Sequence, residues 1–238
     1  MLSKNTYGGI ELYRSVYRFV NSNMYAIIIN RSAIIIDPHK SDELTDLLVR
    51  TGVDDVWVLL THEHHDHTSG LFWYQEQFNA RFFVQKEGAE WMASEWYLRP
   101  MFLTFLLSEA DKVNGTDVLS EFKKDFVPKK YWADGIYENS LDWNLEGHCF
   151  TFYHIPGHSK GSSLIIMDEK LAFTGDTLFL DVPTSLRFPG GSKNDFLEIT
   201  VPLLNRKLKK DMVILPGHGR PFALGEKMKD GQIDIQFK

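Results

Sequence analysis

In the segment THEHHDHTSG, residues 61–70, four histidines and an aspartate crowd into six positions, although the 238-residue chain has only nine histidines. His62 and His64 lie two apart just past an apolar run, so in extended backbone they point to the same side. Asp66 and His67 follow where the chain turns toward a helix. Three imidazoles and a carboxylate this close repel one another when charged and hydrogen-bond poorly when neutral and buried. A divalent metal resolves the conflict, because neutral imidazole and ionised carboxylate are its ordinary ligands. Partners of the same kind recur downstream. His158 in PGHSKGS, Asp176 in FTGDT and His218 in LPGHG each stand between an apolar run and glycines, where backbone can approach a site closely.

The elements that must position these residues are legible as periodic runs. Tyr25–Ile29 and Ala33–Ile36, on either side of Asn30, Arg31 and Ser32, predict a hairpin of buried β-branched strands. Asp37 and Pro38 stop the second strand. Ser41 then caps a helix through Arg50, with Asp42 and Glu43 in its first turn, Leu44, Leu47 and Leu48 inward, and Gly52 closing it. VWVLL (56–60) reads as a strand running straight into the histidine segment. A helix is expected from around 66–70 through LFWYQEQF, followed by the strand RFFV (81–84). CFTFYHI, SSLIIM and KLAFTGD are later strands, the last two joined by a tight turn at Asp168 and Glu169. FLEITVPLLNRKL ends in basic residues that complement a helix dipole. DMVILPGHG is a final strand, and KDGQIDIQF a short hairpin-like tail. Strands alternating with helices imply βαβ units and an α/β protein with a largely buried sheet.

Residues 88–140 differ in character. Trp91, Trp96, Tyr97, Phe102 and Phe105 are too many large apolar groups for a simple surface connector. The spacings Trp91–Glu95 and Tyr97–Met101–Phe105 predict helices with one apolar face. That face would pack on the body, form a subunit contact or reach over the site as a lid.

Composition excludes several classes of function. Hydrophobic residues make up 43% of the chain, enough for a sizeable core, and 26 basic against 32 acidic residues leave a net charge of −6. A nucleic-acid partner is not expected, since such proteins carry a net basic face. No run approaches the roughly 18 apolar residues of a membrane span. The opening MLSKNTYGGIELYRSV lacks the apolar core of a secretory signal. The lone Cys149, expected to be buried and inert, suits a reducing compartment, so the cytoplasm is the expected location. His39, His148 and His154 match no motif and are assigned structural roles.

Taken in order, the motifs resemble the metallo-β-lactamase superfamily. IIIDP (34–38) matches its first motif, THEHHDH its signature, and PGHSKGS, GDT and PGHG its later ones, over roughly residues 10–222. The resemblance implies an α/β fold, an αββα sandwich forming one domain over 1–238 with residues 88–140 as a helical insertion. It implies that His62, His64 and His158 hold one metal ion, that Asp66, His67 and His218 hold a second, and that Asp176 bridges them. Asp66 and Asp176 are then the carboxylates at the reacting centre. Two divalent ions are expected, with zinc first and iron or manganese as alternatives. Asp37 is either a residue orienting the ligand loop or a strand-end turn residue. His65 is not expected to be a ligand.

Within that family, GDTLFLDVPTSLRFPGGS (175–192) resembles the stretch after the bridging aspartate in glyoxalase II-type thioesterases, the hydroxyacylglutathione hydrolases. Lys160, Arg187 and Lys193 then fall at the metal rim, as candidate contacts to an anionic part of the substrate. The chain ends twenty residues after His218 in place of that branch's basic C-terminal helices, so glutathione is not the expected carrier. Two metals about 3.5–4 Å apart make water nucleophilic near neutral pH. A thiolate leaves without a proton donor, whereas an amine needs one. The expected reaction is therefore hydrolysis of a thioester or ester, on a small-molecule or carrier-linked acyl substrate. An iron-dependent persulfide dioxygenase, a lactone or β-lactam hydrolase and a metal-bound protein without turnover are the rivals, and a homodimer is left open.

Overall fold

Two apolar strands that bury both of their faces set the architecture. The structure is a computed structural model describing residues 1–238. In it β1 (Ser3–Tyr7), β2 (Ile10–Val16), β3 (Asn23–Ile29), β4 (Ser32–Ile36), β5 (Asp55–Leu59), β6 (Arg81–Gln85) and β7 (Gly135–Tyr137) form one sheet in chain order. The first four pair antiparallel and the rest parallel. Along β3 and β4, Met24, Ala26, Ala33 and Ile35 face helices, while Tyr25, Ile27, Ile34 and Ile36 face a second sheet. A strand buried on both faces has no polar side, which is why these read as continuous apolar runs.

The second sheet holds β8 (Ser140–Leu145), β9 (His148–His154), β10 (Ser163–Met167), β11 (Leu171–Gly175), β12 (Val213–Pro216) and β13 (Phe222–Ala223). Asp168 and Glu169, both with φ near +50°, make the predicted tight turn between β10 and β11. Helices α1 (Asp42–Arg50), α3 (Leu71–Phe78) and α4 (Lys86–Met92) cover the outer face of the first sheet. The histidine-rich segment forms the short α2 (His65–Thr68) before α3. On the outer face of the second sheet lies a helix made of α7 (Lys193–Asp195), a π-helical stretch (Phe196–Thr200) and α8 (Val201–Lys207). Pro202 lacks the N–H that a continuous α-helix would use, and Val201 N–H bonds five residues back to Phe196 instead. The tail folds back as β14 (Met228–Lys229) and β15 (Gln232–Ile233). The layers run helix, sheet, sheet, helix, the expected αββα sandwich. No helix is long and apolar enough to cross a membrane.

Several expectations need correction. The helix expected to start around 66–70 begins at Leu71, and the short α2 before it ends at Thr68; the break falls at Ser69 and Gly70, where a Cβ on Gly70 would lie 2.5 Å from the His39 backbone. The span 88–140 is not helical throughout. Helices α4, α5 (Met101–Asn114) and α6 (Val118–Asp125), with a 3-10 turn (Glu95–Leu98), give way to β7, a three-residue strand too short to show a period. Tyr97, Met101 and Phe105 share no face, because Pro100 separates the turn from α5. Tyr97 is buried, while Met101 and Phe105 are 66% and 58% exposed. Leu103, Leu107 and Phe122 form a small core of their own beside Phe19 and Val20. Cys149 is exposed. Phe150 and Phe152 take the inward positions of β9, and strand alternation turns Cys149 outward.

Candidate metal centre

Four chain segments, each just beyond a strand, meet at one edge of the sandwich. The loop after β5 carries His62 and His64 and enters α2 with Asp66 and His67. The connection from β9 to β10 brings His158, the residue after β11 is Asp176, and the turn after β12 holds His218. His158 Nε2 lies 3.1 Å from His64 Nδ1. His67 Nε2 and His218 Nε2 both lie 3.3 Å from Asp66 Oδ2. The Asp176 carboxylate stands between the two groups. Its Oδ1 is 3.4 Å from His67 Nε2, and its Oδ2 is 3.5 Å from His218 Nε2 and 3.6 Å from His158 Nε2.

The outer nitrogens fix which atoms face inward. His158 Nδ1–H donates to Ser185 O at 2.9 Å, and His64 Nε2–H donates to Pro189 O at 3.2 Å. Asp37 accepts His67 Nδ1–H at 3.0 Å, and it also accepts the Thr61 backbone N–H at 2.8 Å and the Thr61 hydroxyl at 2.5 Å. With its proton given to Asp37, Thr61 Oγ1 accepts His62 Nδ1–H at 3.1 Å. His62, His64 and His158 therefore turn bare nitrogens into the cluster and His67 turns Nε2 inward, so the close His158–His64 approach sets one lone pair against another. His62 Nε2, His67 Nε2 and Asp176 Oδ1 are buried with no hydrogen-bond partner. Inward acceptors without donors need cations. Tetrahedral ligands at about 2.0–2.1 Å from an ion are about 3.3–3.4 Å apart, which the observed separations match. The residues present fit a metal pair. Asp37 lies near His62 and His67, but both of its oxygens are already committed to donors, so its place is behind the ligands.

Electrostatics point the same way. Burial pushes His62 and His158 down, the latter to about 4, and both stay neutral. Burial also opposes charge on His67 and His218, but the nearby carboxylates outweigh it. They hold His67 well above its usual value and lift His218 to about 10. Burial would raise Asp66 and Asp176, yet His67 and His218 keep both well below the usual carboxylate range. Without ions, the two carboxylates are balanced by protons on these two imidazoles.

Sequence reasoning missed much of the support. Asn23 N–H donates to Gly217 O at 2.6 Å, and its side chain donates to Pro216 O and Gly219 O, which fixes the His218 turn. Tyr25 Oη donates to Pro216 O at 2.8 Å. Glu63 is 4% exposed and accepts from Ser159 Oγ at 2.9 Å and Gly161 N at 3.3 Å, joining the first ligand loop to the His158 loop. An acid among buried histidines was a readable signal. The carbonyls of Ser185 and Pro189 leave no side-chain trace. Gly217 has no room for a side chain, since a Cβ there would lie 2.2 Å from Asp176 Oδ1.

The candidate substrate contacts separate. Lys160 lines a recess of about 280 Å³ beside His64, together with Trp91, Trp96, Glu87 and Glu90. Arg187 is exposed. Lys193 points toward the tail, its ammonium 5.6 Å from the Phe237 ring. Between them, Phe188 packs on His158 at 5.2 Å and His64 at 6.0 Å, and it meets Phe102 of α5 at 4.6 Å. His65 turns away from the cluster, toward Tyr97 O at 2.7 Å. His39 is buried against Ser15, His148 pairs with Asp168, and His154 bonds Lys160 O.

A family model described as Metallo-beta-lactamase superfamily matches residues 17–218, a span that takes in all seven cluster residues. The chain is 27% identical over 202 residues to a hydroxyacylglutathione hydrolase of Haemophilus influenzae, covering 84% of this chain and 85% of that protein. It is similar in structure to a B3 metallo-β-lactamase, with a TM-score of 0.66 and 20% identity over 96% of both chains. A protein solved in a di-iron-bound form gives 0.65 at 20% identity, over 90% of this chain and 96% of that one. At such identities the structural likeness carries the fold.

Proposed function

The chain belongs to the metallo-β-lactamase superfamily, and we propose that it hydrolyses a thioester or ester of a small or carrier-linked acyl group at a two-metal centre, with zinc as the metal. The observation that carries this reading is the seven-residue cluster with its unpaired, inward-facing acceptors. His62, His64 and His158 would hold one ion, Asp66, His67 and His218 the other, with Asp176 between them. Bound there, the pair supplies water that is nucleophilic near neutral pH and polarises a carbonyl.

The choice of leaving group rests on the chain's own protons. His62, His64, His67 and His158 each direct their remaining N–H outward, to Thr61, Pro189, Asp37 and Ser185. None of them has a proton to offer a departing amine once its inner nitrogen is engaged. A thiolate, with a pKa of about 8.5, departs without one. Lys160 stands at the recess beside His64, where it can meet an anionic part of the substrate. Trp96 and the Phe102–Phe188 pair offer the acyl chain an apolar path from that recess to α5.

The test pairs elemental analysis of the purified protein with a panel of thioesters, lactones and β-lactams. Close to two zinc ions per chain and thioester turnover that is lost in Asp176→Ala would support the reading. The fold neighbour solved with iron keeps iron as the alternative metal. One tightly bound iron with turnover that consumes oxygen would replace hydrolysis with a persulfide dioxygenase-like oxidation.

A further inference from the structure

Ser185 O accepts the Nδ1–H of His158, and that contact decides which nitrogen the ring turns toward the cluster. Ser185 belongs to a long connection. Between β11 and α7, from Asp176 to Ser192, the chain has no helix and no strand of its own. Connections longer than about 12–15 residues without elements of their own are uncommon, and a carbonyl fixed in the middle of one needs support from elsewhere.

That support comes from the tail. Thr184 N–H donates to Gln236 O at 2.8 Å, Leu186 N–H to Lys238 O at 3.0 Å, and Lys238 N–H to Thr184 O at 2.9 Å. These bonds bracket Ser185 on both sides, and they are the only backbone-to-backbone bonds that residues 178–187 make. Side chains add two more ties. Thr184, buried, donates its hydroxyl to Thr177 O at 2.8 Å, and the buried Lys227 directs its ammonium to Leu180 O at 2.7 Å. The tail is itself anchored through Phe237, whose ring meets that of Phe196 at 5.5 Å. Phe196 opens the π-helical stretch and presses on Gly157, where an added Cβ would lie 2.6 Å from Phe196 Cβ. Two routes thus run from the tail to His158, one through the Ser185 carbonyl and one through Phe196 and Gly157.

We propose that residues 236–238 are a positioning clamp for His158, holding the Ser185 carbonyl so that His158 keeps its proton on Nδ1 and turns a bare Nε2 toward the cluster. The inference rests on the metal-centre reading but not on which bond is hydrolysed. The test uses the full chain with nitrogen-15 in its histidines, His158 being assigned by His158→Gln. In the ion-free native chain His158 is expected as the Nδ1–H tautomer. Phe237→Ala, which removes the anchor on Phe196, should give a mixture with the Nε2–H tautomer. Zinc titration against a chromophoric chelator should then find the ion held by His62, His64 and His158 weakened about fivefold, less than for loss of a direct partner of a ligand. The ion held by Asp66, His67 and His218 should change less. Phe237→Tyr, which keeps the ring, should behave as the native chain. Lys227→Met, which keeps the volume but leaves Leu180 O without its donor, should act in the same direction as Phe237→Ala. An unchanged His158 tautomer with both zinc affinities within twofold of native, in Phe237→Ala and in Lys227→Met, would overturn the proposal. Equal weakening of both ions with His158 still protonated on Nδ1 would do the same, since that is loss of general support. A native chain that binds no zinc would sink the metal-centre reading alone, because the tautomer in ion-free protein still judges the clamp.

Discussion

Asp37→Asn tests whether Asp37 sets the protonation of a metal-facing imidazole. Asp37 sits at φ +52°, a conformation that asparagine tolerates as readily as aspartate. The exchange therefore keeps volume and backbone, whereas alanine would add backbone strain of about 1–2 kcal/mol. The Thr61 N–H can only donate, so the amide oxygen must take the Oδ1 position, 2.8 Å away. The amide NH₂ then occupies the Oδ2 position, 3.0 Å from His67 Nδ1 and facing the Thr61 hydroxyl. Two donors cannot share that contact. The His67 proton moves to Nε2, the atom facing Asp66 and Asp176, and removes the lone pair that an ion would use. Losing such a supporting carboxylate costs about 10–100-fold in metal affinity, or about 1.4–2.8 kcal/mol. The assay is a zinc titration of the stripped protein against a chromophoric chelator at pH 7, with circular dichroism to confirm the fold. The ion held by Asp66, His67 and His218 should weaken by that factor, and the one held by His62, His64 and His158 should weaken as well, because Thr61 Oγ1, now facing an amide donor, turns its proton toward His62 Nδ1. If both affinities stay within twofold of native, the tautomer reasoning is wrong.

Metal affinity should rise with pH. His67 and His218 carry protons in the ion-free cluster, His218 up to about pH 10, and must release them on binding. Proton release into weak buffer and tighter zinc binding at pH 8 than at pH 6 are the checks. The same raised values favour the ion-free fold, an effect fully present below about pH 6.5 and lost as pH rises toward 10. Ion-free protein should therefore lose stability to urea from pH 7 to 9, while metal-loaded protein changes less. Gly217→Ala places a Cβ 2.2 Å from Asp176 Oδ1 and 2.8 Å from His67 Cε1. It should cut metal affinity at least tenfold with little change in the far-UV spectrum, read by competition and circular dichroism. If α5 guides an acyl chain, each added methylene should contribute about 0.8 kcal/mol, a few-fold in kcat/KM, until the groove fills. The trend should flatten in Trp96→Ala/Phe102→Ala. A flat response in the native chain would leave the insertion as packing alone.

What was legible in the sequence follows from what the chain cannot avoid writing down. Candidate metal ligands come from a short menu of residue types, and the histidines and aspartates from His62 to His218 stand at the ends of apolar strands, so the cluster that the fold brings together could be proposed from the sequence. β3, β4, β10 and β11 were visible because burial on both faces leaves them without polar positions. β1 was not, because its residues are largely exposed. α5 was misjudged because its inward residues, Leu103 and Leu107, pack on Phe19 and Phe122 in a small separate core. Helical spacing alone cannot tell that face from the one left to solvent. Backbone partners such as Ser185 O, Pro189 O and Tyr97 O place no demand on residue type, so no pattern could have announced them.

The division of ligands between the two sheets has its own consequence. His62, His64, Asp66 and His67 hang from β5 of the first sheet, and His158, Asp176 and His218 from the strands of the second. The local histidine segment thus supplies two residues to each proposed ion position, while each position is completed only by the second sheet. Glu63 bonded to Ser159 and Gly161, and Asn23 bonded to the His218 turn, hold the two sheets at the separation the cluster needs. A short His-rich peptide can bind zinc weakly, but the pair of sites exists only when the sandwich has closed. Tight binding of two ions would therefore be a property of the packed core between the sheets as much as of the seven residues proposed to hold them.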